Sequence, residues 1–107
     1  MLIKTNENIT IFTQKKVSIK TFINNICEVY SRYKENHLVI NFITDISLEA
    51  ILSFLDLSNT HRNNNKSFVI VSDNVNIDDI PEEIVLVPTL QEAYDIIEME
   101  AIERDLG

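Results

Sequence analysis

Apolar residues follow two rhythms along this chain. Residues Met1–Thr5 and Ile9–Thr13 are short β-type runs separated by the turn-like Asn6-Glu7-Asn8, and together they predict an N-terminal hairpin. Ser18 then precedes Ile19, Phe22, Ile23, Ile26, Tyr30 and Tyr33. Their steps of three and four predict a helix that the Ser18 hydroxyl caps. Glu35-Asn36-His37 breaks the pattern, and Leu38–Ile43 is nearly continuous apolar sequence, as in a strand covered on both faces. Ser47 predicts the cap of a second helix through Leu48, Ile51, Leu52 and Leu55. That helix ends at His61-Arg62 ahead of Asn63-Asn64-Asn65, because asparagine tolerates the left-handed backbone of a helix stop.

The remainder repeats the alternation. Ser67–Ser72 and Ile84–Val87 read as buried strands. Asp73–Glu83, polar with isolated Val75, Ile77 and Ile80, reads as a loop with at most one helical turn. Thr89 and Glu92 form a capping box before a last helix from Leu90 to about Arg104, with Leu90, Ala93, Tyr94, Ile97 and Ala101 turned inward. The order is β-β-α-β-α-β-(short α)-β-α. It predicts a single α/β domain over 1–107 with a mostly parallel five-stranded sheet and right-handed crossovers.

Bulky and small residues alternate within the strands. Leu38, Ile40, Phe42, Phe68, Ile70, Ile84 and Leu86 fall on one face, and Val39, Asn41, Val69, Val71, Val85 and Val87 on the other. The bulky face is expected to carry the helices. Two readings stand for the valine-rich face: cover from within the chain, or cover by a partner. The last helix leaves a similar pair of readings. Ile96, Met99 and Ile102 add a second apolar side to it, which either widens its contact with the sheet or docks to a partner or a second copy.

Composition narrows the class. With 45% apolar and 24% charged residues the 107-residue chain is globular in type, and one glycine and two prolines are too few for a turn-rich sandwich. The net charge of −8 disfavours nucleic acid and anionic membrane as partners. No apolar run reaches the roughly 18 residues of a membrane helix. The lone Cys27 and the absence of a signal-like start predict a cytoplasmic protein without disulfides.

Candidate chemistry is sparse. The single glycine is residue 107, which excludes glycine-rich phosphate loops and the G-x-S-x-G elbow. His37 and His61 lack metal-ligand spacing, and Cys27 beside Ile26 reads as a small buried apolar residue. The acids Asp78, Asp79, Glu82, Glu83, Glu98, Glu100 and Glu103 read as a solvated surface, or as a surface for a basic partner. No cofactor is expected. The remaining candidate is Thr44-Asp45-Ile46-Ser47, at the carboxyl end of a buried strand, where ligands and modifications gather in parallel sheets. The alternative is that Ser47 is simply a helix cap.

The element order and that junction resemble the STAS domain, the fold of anti-sigma-factor antagonists, over almost the whole chain. The best local matches are HLVINF (His37–Phe42), SLEAIL (Ser47–Leu52) and NKSFVIV (Asn65–Val71). In partner-switching members an Asp-Ser-Ser-Gly motif precedes the helix, and one serine is phosphorylated by a kinase that is also the partner. Aligning the helix starts sets Asp45 on the phosphoserine, Ile46 on the second serine and Ser47 on the glycine, so that motif is not preserved. The chain also looks like short bacterial proteins, typical of Bacteroidetes, that carry the label ribonuclease Z. The H-x-H-x-D-H pattern which that activity requires is absent.

The resemblance implies a non-enzymatic protein-binding module. The expected contact surface is Thr44, Asp45, Ser47, Glu49 and Ser53, the partner being another protein or a second copy. Two alternatives remain: a hydrolase whose metal cluster is assembled by the fold, and an accessory protein of RNA processing without catalysis.

Overall fold

The alternation of bulky and small strand residues sorts the molecule into two layers on one sheet. The computed structural model describes residues 1–75 and 77–106, with Ile77 by its backbone alone; Asn76, in the predicted loop, and Gly107 lie outside the described residues. The elements are β1 (Leu2–Asn6), β2 (Ile9–Thr13), α1 (Ile19–Tyr33), β3 (His37–Asn41), α2 (Leu48–Leu52), α3 (Leu55–Asn63), β4 (Phe68–Val71), a 3-10 turn (Ile77–Asp79), β5 (Val85–Val87) and α4 (Leu90–Leu106). The sheet order is β1-β2-β3-β4-β5. β1 runs antiparallel to β2 and every other neighbour is parallel, so the α/β, mostly parallel five-stranded reading holds.

All seven bulky strand residues named above pack in one core with Phe12, Phe22, Ile26, Ile51 and Phe54. α1, α3 and the β4–β5 connection cover that face through Ile23, Tyr30, Leu57, Val75 and Ile80. Placing every crossover on one side lets each new strand add beside the last, as right-handed crossovers require. Edge-to-face ring contacts join Phe22 to Phe42 (5.3 Å) and Phe42 to Phe54 (6.0 Å), and Phe54 lies against Phe68 at 6.1 Å. Burying each such side chain contributes about 1.5–3 kcal/mol. The opposite face buries Val39, Val69, Val71 and Val87 under Ala93 and Ile97 of α4. The valine-rich face is therefore covered from within the chain, by α4 packed on β3, β4 and β5.

Three expectations are corrected here. The second helix is two, because Ser53 caps α2 and Phe54 turns into the core before α3 begins. Phe54 N–H bonds to Ile51 C=O, three residues back instead of four, and this tightened turn redirects the axis. Tyr94 is exposed, since α4 sits on the sheet through the stripe of Ala93 and Ile97. Cys27 is exposed too; one residue past Ile26 lies about 100° around the helix, off the buried stripe.

Candidate functional site

Three of the five residues of the predicted surface, Thr44, Ser47 and Ser53, make local hydrogen bonds. β2 is followed by Gln14, which is buried. Its N–H bonds to Asn41 C=O at the end of β3, its Nε2 donates to Val17 C=O (3.1 Å), and its Oε1 accepts from the Thr44 hydroxyl (2.9 Å). Gln14 thus ties the entry to α1 and the exit from β3 into one unit. Ile46 is buried in the core, and its carbonyl accepts from Asn74 Nδ2 (3.4 Å). The chain then enters α2 with Ser47 as cap, its Oγ accepting from Ala50 N–H (3.1 Å). At the far end the Ser53 hydroxyl donates to Ala50 C=O (2.5 Å). Asp45 and Glu49 are exposed.

The five predicted residues line two adjoining depressions. Ser47, Glu49 and Ser53, with Ile19, Ile23 and Ala50, line a mainly apolar groove of about 480 Å³ between α1 and α2. Thr44 and Asp45 line a more polar hollow of about 410 Å³ over the carboxyl ends of β3, β4 and β5, together with Ser72, Asp73 and Thr89. Thr89 caps α4 there by accepting from Glu92 N–H (3.2 Å). α2 also exposes Leu48 and Leu52 on another side, and Ile43, which lines the hollow, is exposed after β3. The junction is thus an open surface, apolar over the groove and polar over the hollow, with Asp45 and Glu49 exposed on it.

The opposite end of the sheet holds polar contacts that the residue pattern did not signal. His61 is fully buried; its Nε2 faces the Asn36 carbonyl (2.8 Å) and its Nδ1 faces the Tyr30 hydroxyl (2.8 Å). A carbonyl only accepts, so Nε2 carries the proton and Nδ1 accepts from Tyr30. Burial pushes the His61 imidazole below its ordinary value, partly offset by the bond to Asn36. His37 is buried as well, and its Nδ1 accepts the Ser67 backbone N–H (2.9 Å). Burial, aided by Arg104 and Lys66, pushes it down too. Burial thus favours the neutral form of both rings.

Glu100, expected on the solvated face, is instead turned inward. It accepts from the Ser67 hydroxyl (2.5 Å), and Arg62 (3.3 Å) and Arg104 (3.9 Å) pair with it. Asp78, Asp79, Glu82, Glu83, Glu98 and Glu103 are exposed. Among the described residues, no three histidines, cysteines or acids are grouped where they could hold a metal ion. No helix among them is long and apolar enough to cross a membrane. No protein-family model matches the sequence, and no curated protein matches it.

Proposed function

We propose that the chain is a STAS-like, non-enzymatic protein-binding module whose partner docks on the junction between β3 and α2. The observation that carries this reading is the apolar groove between α1 and α2, which Ser47, Glu49 and Ser53 line together with Ile19, Ile23 and Ala50. A groove of that size takes one or two large side chains of a partner. The rim carboxylates Asp45 and Glu49 would select for a partner with basic or hydrogen-donating groups around an apolar anchor. Asp45 stands where the resembling family carries its phosphoserine, but a single fixed negative charge is weaker than a phosphate, so docking here is constitutive and not switched. The buried Ile46 leaves no hydroxyl at the neighbouring position. On this reading the protein works in the cytosol, where an exposed thiol such as Cys27 stays reduced.

Affinity purification from the source cell with three baits tests the proposal. Asp45→Arg reverses the rim charge, Ala50→Phe fills the groove, and Glu35→Arg changes an exposed charge ahead of β3, at the other end of the sheet, as a control. Proteins captured by the unaltered chain and by Glu35→Arg, but lost with both junction variants, are the expected outcome. A capture list that ignores both junction variants defeats it.

A further inference from the structure

We infer that the outward face of α4 docks a basic amphipathic helix of a partner protein. Ala93 and Ile97 bury the inward stripe of α4 against the sheet. On the opposite stripe, at helical steps of three and four, Met99, Ile102 and Leu106 stand 56%, 53% and 84% exposed. Large apolar side chains repeated along one exposed helix stripe match the ridge that a second helix buries.

Charge identifies the occupant. The helix carries five exposed carboxylates, Glu92, Asp95, Glu98, Glu103 and Asp105. Its sole basic residue, Arg104, is turned inward to the Ser67 hydroxyl (3.3 Å) and Glu100, so no cation of α4 offsets them on the outside. A second copy packed stripe to stripe would set these carboxylates against their own kind, and each chain carries −8 overall. A helix with leucine-type residues on one face and lysine or arginine beside them complements both the stripe and its borders. This face lies across the sheet from the groove between α1 and α2, so the inference stands apart from the function proposed above.

The test uses a fluorescently labelled peptide of about three heptads, with leucine at a and d and lysine elsewhere. The control is a scrambled peptide of identical composition. Fluorescence anisotropy with the full chain is expected to show saturable binding at least about tenfold tighter for the amphipathic peptide than for the scrambled one. Ile102→Asp, which keeps the surface acidic, is expected to weaken it by about tenfold, the loss that burying one such side chain predicts. Asp45→Arg is expected to leave it within about twofold. Circular dichroism verifies that Ile102→Asp is folded. Equal binding of the two peptides, or no effect of Ile102→Asp, overturns the inference. So does loss of binding on Asp45→Arg, which would move the contact to the junction. A dimer in sedimentation equilibrium that Ile102→Asp dissociates would make the occupant a second copy and overturn it equally.

Discussion

The Tyr30 hydroxyl donates to Nδ1 of His61 across 2.8 Å and 31 residues of sequence, tying α1 to α3 beneath the sheet. The same imidazole reaches back to the Asn36 carbonyl at the start of β3. One neutral ring thus joins both helices to the strand between them, and a proton added at Nδ1 would reverse the Tyr30 contact, the ring then donating to the hydroxyl oxygen.

That arrangement predicts acid sensitivity. His37 and His61 both bind protons less readily in the folded chain than at their ordinary value of 6.5. Below that value the unfolded chain therefore takes up protons that the native state refuses, and stability falls as pH falls. The stability contributed by the neutral rings is complete above about pH 7. Urea unfolding is expected to lose up to about 1.4 kcal/mol per pH unit for each histidine below that. In His61→Gln part of this slope disappears; a slope equal to that of the unaltered chain would refute the assignment.

Glu100 should matter where its neighbours on α4 do not. Glu100→Ala removes the acceptor of the Ser67 hydroxyl and leaves Arg62 and Arg104 facing each other. A loss of about 1–3 kcal/mol is expected, against less than about 0.5 kcal/mol for Glu98→Ala on the exposed face. Comparable midpoints for the two variants in urea would show that the inward contacts contribute nothing.

The stop of α3 rests on one backbone angle. Asn65 has φ 64°, with its N–H bonded to Arg62 C=O (3.0 Å) and the Lys66 N–H to His61 C=O (3.4 Å), the paired bonds of a Schellman end. Asn65→Val is expected to cost about 1–2 kcal/mol in thermal unfolding, and Asn65→Gly nothing. If valine is tolerated as well as glycine, the left-handed turn is not what ends the helix.

Cys27 gives a direct check on the packing of α1. Its thiol is exposed, so Ellman's reagent should modify the native protein at the rate of an open thiol, without denaturant. Reaction only on unfolding would restore the buried position that the sequence suggested.

The strands and their faces were legible in the sequence because both depend on nearest neighbours. Alternation within Leu38–Phe42, Phe68–Val71 and Ile84–Val87 sorts each side chain to a face without any knowledge of what lies opposite. Helix starts at Ser18, Ser47 and Thr89 were equally local. The break before Phe54 was not, because the apolar period runs unbroken from Ile51 to Leu55 and no glycine or proline marks the turn. At the candidate site Ser47 and Thr44 could be named, whereas Gln14, which holds the junction together, could not. Its partners lie in β3 and beyond, and one polar residue after a strand carries no signal of burial. Glu100 and the two histidines were missed for the same reason: their partners are brought up by topology.

The sheet order follows the order of synthesis, so each strand finds its predecessor already in place as the polypeptide leaves the ribosome. The layer under α4 is different. Until its 17 residues emerge, after every strand of the sheet, Val39, Val69, Val71 and Val87 form a bare β surface on an otherwise assembled half-molecule. Translation that halts before Leu90 would release a product prone to aggregate, and a cell making this protein depends on α4 following β5 off the ribosome promptly.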